Sequence, residues 1–176
     1  MPELPEVETV IRLISRDVIG REILSTNIRW KRSIAVPSAA AFNRGLRGMR
    51  VEGLSRRGKY IIFSLRDNLG ANWSMLVHLR MSGTLEVRHA PGELAKHDRV
   101  IFQFENGSQL HFNDTRKFGN VYLVREHRQV TAKLGPEPLT NELSYGRFYD
   151  RLQSRSGAIK PLLLKQDFIA GLGNIY

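Results

Sequence analysis

Apolar residues recur at steps of three and four over Leu4, Val7, Ile11, Ile14 and Val18, and the period then falls to two and holds up to Val124. A period near 3.6 turns one face of a helix to a core, whereas a period of two sends alternate side chains to the two faces of a strand. The first segment therefore predicts a helix from Leu4 to near Gly20, about four turns long. Pro5 sits in its first turn, Glu6 and Glu8 lie by the positive end of the dipole, and Gly20 suits the C-terminal cap. Runs near 22–30, 49–54, 59–65, 71–79, 84–88, 99–104, 108–113 and 118–124 predict strands. Many short strands after a leading helix suggest a sandwich or a barrel.

Punctuation supports this order. Asn106-Gly107 stands between Phe102, Phe104 and Leu110, Phe112, so it predicts a tight hairpin turn with an apolar face on each arm. Asn68-Leu69-Gly70 is a second, weaker turn. At Gly135-Pro136-Glu137-Pro138 the pattern stops, because two prolines in three residues exclude a helix interior and a central strand. We expect a first domain over 1–134, a linker over 135–144 and a helical segment over 145–176, where Phe148, Tyr149, Leu152, Ile159, Leu162 and Leu163 follow helical spacing. That last piece is too short for a core of its own, so Leu162, Leu163, Leu164, Phe168, Ile169 and Leu172 are expected to be partly exposed, and the chain to stop inside an element.

The charge narrows the partners. Lys and Arg number 27 against 17 Asp and Glu, a net +10 over 176 residues, which points to an acidic or phosphate-rich partner. With 41% hydrophobic and 25% charged residues the chain belongs to globular rather than disordered proteins. It has no cysteine, which excludes disulfides, a thiolate nucleophile and a Cys-ligated metal within these residues, and its five histidines form no close i, i+4 pair, so no metal site is expected. No apolar run approaches the roughly 20 residues of a membrane span, and the acidic start MPELPEVETV is unlike a signal peptide. A soluble protein made without an export signal is expected.

Several groups carry chemistry. Removal of Met1 leaves Pro2 with a free secondary amine, which can attack an electrophilic sugar carbon and form an iminium. Glu3 and Glu6, beside it and one turn on, are placed for general acid and base work; the plain alternative is a helix start with dipole-matched acids. Between Arg44 and Tyr60, six cations (Arg44, Arg47, Arg50, Arg56, Arg57 and Lys59) face a single acid, Glu52, a composition that suits phosphates or an ordinary basic strand edge. His78-Leu79-Arg80-Met81-Ser82-Gly83 and Asn113-Asp114-Thr115-Arg116-Lys117-Phe118-Gly119 each put a long or apolar side chain in a Gly-bounded turn. Such side chains either wedge a base stack or cap the protein core.

Seven ordered blocks, PELPEVET at the start, SRRGKY at 55–60, HLRMSG at 78–83, NDTRKFG at 113–119, LGPEPL at 134–139, IKPLL at 159–163 and GLGNIY at 171–176, resemble bacterial formamidopyrimidine-DNA glycosylase along the whole chain. Leu4 favours that branch over the related endonuclease VIII, which typically begins PEGPE. The resemblance implies an α+β, mainly β fold: an N-terminal helix, a two-sheet antiparallel β-sandwich, and the beginning of a helix-two-turn-helix domain. It implies a monomeric, cytoplasmic, nucleoid-associated base-excision repair enzyme that binds damaged double-stranded DNA, removes oxidised purines and cuts the abasic strand by β,δ-elimination. By resemblance Pro2 is the nucleophile, Glu3 the acid/base, Glu6 a supporting carboxylate and Lys59 a catalytic lysine at the lesion and its phosphate. Met81, Arg116 and Phe118 match residues that fill the space of an extruded nucleotide; Lys160, Asn174 and Tyr176 match phosphate contacts, with Arg57 and His97 as further DNA contacts. The Zn(2+) of the family belongs to a C-terminal finger that these residues do not contain. Two other classes stay open on the sequence alone: a damaged-DNA-binding remnant without turnover, and a generic basic β-module.

Overall fold

The computed structural model describes residues 2–89, 92 and 94–175. Helix α1, Leu4–Val18, buries Val7, Ile11, Ile14 and Val18, the stripe its spacing predicts. Its first turn is closed by the Glu3 amide donating to the Glu6 carboxylate at 3.0 Å. Nine strands follow: β1 Ile23–Ile28, β2 Ile34–Val36, β3 Arg50–Arg57, β4 Tyr60–Arg66, β5 Asn72–His78, β6 Gly83–Arg88, β7 Asp98–Phe104, β8 Gln109–Asp114 and β9 Asn120–Val124. They form a four-stranded sheet in the order β1-β7-β8-β6 and a five-stranded sheet in the order β2-β9-β5-β4-β3. The sandwich is therefore observed, though not wholly antiparallel, since the short β2 runs parallel to β9.

The apolar faces of the two sheets meet over Phe63, Phe102, Phe104 and Phe112, all fully buried. An open sandwich leaves two sides where edge strands expose core, and here each side has a helix. Helix α1 packs on β3 of one sheet and β6 of the other; α2, Ala39–Leu46, packs on β1 and β2 and inserts Phe42 and Leu46. Two hairpin turns fall where expected: Gly107, with φ +85°, closes β7 to β8, and Gly70 closes β4 to β5. On the far face of the larger sheet Ile62, Leu76 and Val124 are buried too, beneath Val130 near the short helix α3, Arg128–Thr131. Among the described residues no helix is long and apolar enough to cross a membrane.

Beyond residue 134 lie α4, Tyr145–Gln153, and α5, Ile159–Leu164. Here two expectations are corrected. Segment 135–144 does not behave as a free linker: the Gly135 amide donates to the Gln166 carbonyl, the Ala170 amide to the Pro136 carbonyl, and Glu137 is buried against Arg56 and Arg57. Nor are the apolar groups of the final piece uniformly exposed. Leu162, Phe168 and Ile169 are buried in a small cluster with Leu143, Phe148, Leu152, Leu163 and Leu172, because the segment folds back on itself and packs its own apolar side chains together.

Candidate active site

The turn between β3 and β4, the loops after β5 and β8 and the segments around Leu164–Gln166 and Leu172–Asn174 line one cleft of about 580 Å³. Glu3 lies beneath it, 2% exposed, and its carboxylate accepts the Ile175 amide at 3.1 Å. Gly173 passes so close that a β-carbon there would overlap the Glu3 carboxylate. Gln166 holds this passage by donating to the Leu164 and Leu172 carbonyls at 3.0 and 2.8 Å and accepting from the Gly171 amide at 2.9 Å. Pro2 and Glu6 are half-buried beside Glu3.

Lys59 opens the wall of the cleft and is 6% exposed. Burial pushes its ammonium below the ordinary lysine value while Glu3 and Glu6 pull it back up, so its proton is held less tightly than on a surface lysine. Its backbone is set from outside the sandwich. Glu137 bonds Arg56 at 2.7 Å, Arg57 at 3.2 Å and the Gly58 amide at 2.5 Å, and Gly58, with φ +56°, turns the chain into Lys59. Arg57, expected as a DNA contact, donates in this structure to Glu137 and to the Gly135 carbonyl, the latter at 2.8 Å. Much of the basic run at 44–60 is likewise engaged internally, Arg50 with Glu22 and Arg56 with Glu8 as well as Glu137.

His78 also lines the cleft, though its motif alone assigns it no role. Desolvation, with Arg80 and Lys59 adding repulsion, drives its pKa down to about 3. The neutral ring accepts the Arg80 amide on Nδ1 at 3.0 Å, leaving Nε2 to carry the proton. That bond helps hold Arg80 at φ +55°; Arg80, which lines the cleft, and Lys117, next to the lining Phe118, are the non-glycine residues with positive φ among those described.

Met81 and Phe118 line the cleft, 45% and 52% exposed, and the Arg116 guanidinium lies 5.0 Å over the Phe118 ring. The loop beneath them is built on buried Asp114, which accepts from Ser82 Oγ at 2.5 Å, the Arg116 amide at 3.1 Å and the Gly119 amide at 2.8 Å. His97 is half-buried below this loop, bonded to Arg99 and, through its carbonyl, to the Asp114 amide. Asn174 lines the cleft, whereas Lys160 is exposed on α5 away from the lining; Tyr176 lies outside the described residues. Asn120 and Gln166 complete the lining. Neither stood out in the sequence, and Gln166 had no signal, being joined to the site only by folding. The zinc implied by resemblance finds no ligand set here: the chain has no cysteine, and no group of three His, Asp or Glu among the described residues is arranged for a metal.

Comparison with known proteins bears on the same surfaces. Residues 1–121 match the model of the formamidopyrimidine-DNA glycosylase N-terminal domain, and residues 134–176 match that of the formamidopyrimidine-DNA glycosylase H2TH domain. The formamidopyrimidine-DNA glycosylase of Protochlamydia amoebophila is 42% identical over 177 residues, covering 100% of this chain and 63% of the relative. That of Enterococcus faecalis is 43% identical over 180 residues and is covered over 62% of its length. The chain thus spans a little under two thirds of these curated relatives. Lactococcus lactis Fpg in complex with DNA containing an abasic site superposes with a TM-score of 0.89 at 35% identity, over 99% of this chain and 64% of that one. A mutant of the same protein with Fapy-dG-containing DNA gives the same TM-score and identity. With both of its parts matched, its fold shared and its whole length aligned, the chain belongs to the formamidopyrimidine-DNA glycosylase family.

Proposed function

We propose that the chain acts on damaged double-stranded DNA as a base-excision repair glycosylase with abasic-site lyase activity, directed at oxidised purines such as 8-oxoguanine and formamidopyrimidines. The observation that carries this is the meeting of buried Glu3, depressed Lys59 and the α1 N-terminus under a cleft rimmed by Met81, Arg116 and Phe118. A reacting C1′ is inaccessible in a stacked duplex, so the nucleotide must leave the stack and its space must be filled. Two half-exposed apolar side chains and a guanidinium at one rim suit that task.

The chemistry follows from the amine. With Met1 removed, the Pro2 nitrogen attacks C1′, the C1′–base bond breaks with its electron pair leaving on the base, and the amine loses its proton; the nitrogen lone pair then expels O4′, which takes up a proton as the sugar ring opens, and an iminium forms between Pro2 and C1′. Glu3 moves protons at the sugar, and Lys59, whose proton is loosely held, donates to or accepts from the lesion and its phosphate. Loss of a C2′ proton expels the 3′ phosphate and a second elimination expels the 5′ phosphate; hydrolysis of the imine then frees the amine.

Borohydride trapping on a duplex with 8-oxoguanine opposite cytosine tests this reading. A covalent adduct is expected, and Pro2→Gly or a retained Met1 should remove it. Tight, lesion-selective binding without any adduct would instead favour a DNA-binding remnant.

A further inference from the structure

The positive charge is unevenly committed. Arg12, Arg50, Arg66 and Arg88 sit on acids of the same surface, Glu8, Glu22, Glu52 and Asp98 with Glu86. Lys31, Arg32, Arg116 and Lys117 are exposed and form no ion pair among the described residues. Two of them flank one indole, the Lys117 ammonium 4.2 Å from the centre of the Trp30 ring and the Arg32 guanidinium 5.8 Å from it; Lys31 stands between Trp30 and Arg32 in the chain, and Arg116 lies over Phe118.

We propose that Trp30, Lys31, Arg32 and Lys117 form a second phosphate-binding surface, which holds the DNA strand opposite the one that enters the cleft; this rests on the DNA-directed reading above. Continuity argues for it. Phe118 lines the cleft, Arg116 stacks on Phe118, and Lys117 turns the other way onto Trp30, so the cations form one path leading away from the cleft across the Phe118 wedge. If the damaged strand enters the cleft on one side of that wedge, the complementary strand is the one left to pass on the other, where Trp30 and Lys117 lie.

The surface is also set in advance. The Arg29 and Trp30 amides donate to the Arg99 carbonyl on β7 at 2.9 and 3.2 Å, the Ser33 amide closes a tight turn on the Trp30 carbonyl at 3.0 Å, and Ile34 then pairs with Val121 of β9. The loop is thus tied to both sheets. Lys117, at φ +62°, is aimed by a turn that the buried Asp114 network supports. Side chains fixed against an aromatic platform lose little further freedom when a phosphate arrives, and Arg offers it a fork while Lys offers a point charge.

The test uses the 176-residue chain and a duplex with a tetrahydrofuran abasic analogue opposite cytosine, with affinity measured across a potassium chloride series. Lys31→Ala with Arg32→Ala should lower the salt slope by roughly 1.8, the share of two phosphates. Arg128→Ala with Lys133→Ala, which removes the same charge from exposed positions near α3, should leave the slope alone, as should the charge-keeping pair Lys31→Arg with Arg32→Lys. Shortening the complementary strand on both sides of the lesion should abolish the difference between the alanine pair and the parent, and shortening the damaged strand should not. Equal slopes for the two alanine pairs overturn the proposal, as does a difference that survives on the shortened complementary strand. Borohydride trapping at saturating protein on a separate duplex with 8-oxoguanine opposite cytosine reads the enzymatic proposal: binding with the expected slope but no adduct there sinks that reading and leaves this surface standing.

Discussion

A methyl group at Gly173 would land on the Glu3 carboxylate, so this glycine is required by a neighbour rather than by its own backbone angles. Gly173→Ala should push the loop or the carboxylate aside and lower the rate of borohydride trapping by at least ~10-fold, since small misplacements at a reacting centre are costly. Its melting temperature should stay close to the parent's, because the loop is half-exposed; a variant that traps normally would show that Glu3 need not sit where it does. His78 makes a second residue-scale prediction. Its folded pKa of about 3 lies below the unfolded 6.5, so between those values the unfolded chain binds a proton that the folded chain does not, and stability rises with pH through the window. Acidification from pH 7 to 5 should therefore remove ~2 kcal/mol that His78→Gln retains, read from the difference between their urea midpoints at each pH. Parallel pH profiles for the two proteins would mean that the ring is not held neutral. Pro2, Glu3 and Glu6 were legible because they are neighbours in sequence, on one helical turn. Gly173, Ile175 and Gln166 were not, because nothing local marks a residue that meets its partner only after the chain has closed.

Among the elements, α1 and the long strands were legible because each buries one clean face. The failures share a cause, tertiary pairing of short or polar pieces. Helix α2 carries two buried residues and an internal Gly45 that packs on Leu123, and β2 is three residues whose pairing to β9 no periodicity announces. The stretch 135–144 read as a linker because Pro136 and Pro138 exclude regular structure, yet Glu137 between them is buried and accepts from two arginines and an amide. Removing its charge leaves Arg56 and Arg57, both largely buried, with only the more exposed Glu8 and Glu142 as partners, a loss of ~3 kcal/mol for Glu137→Ala. Glu137→Gln keeps the shape and one acceptor and should lose less. If the pin also sets the Lys59 turn, both variants should trap more slowly even at temperatures where they are fully folded. A loss of stability with unchanged trapping would confine Glu137 to a structural role.

At the scale of the whole molecule the site lies between the main sandwich core and the small C-terminal cluster, with a third cluster, Ile62, Leu76 and Val124, on the far face of the larger sheet. The main core draws on residues from Val7 to Leu123 only, and the smaller cluster holds Leu162, Phe168 and Ile169. Across their boundary run the Glu137 pin onto the β3–β4 turn, Gly171 against Leu4, and the Ile175 amide onto Glu3. The sandwich should therefore fold without the second part, while its site should not be set. A chain stopped after Lys133 is expected to unfold cooperatively, with a lower midpoint because Arg56 and Arg57 lose Glu137. Its trapping should fall much further than its stability, since Lys59 loses its external anchor and Glu3 its covering loop. Adding 134–176 back as a separate peptide should restore little, because the contacts across the boundary are few and joining them in one chain supplies the effective concentration. Were the shortened chain to trap at the parent's rate, the cleft would be a property of the sandwich alone, and the loop at 171–175 would serve DNA binding rather than the arrangement of Glu3.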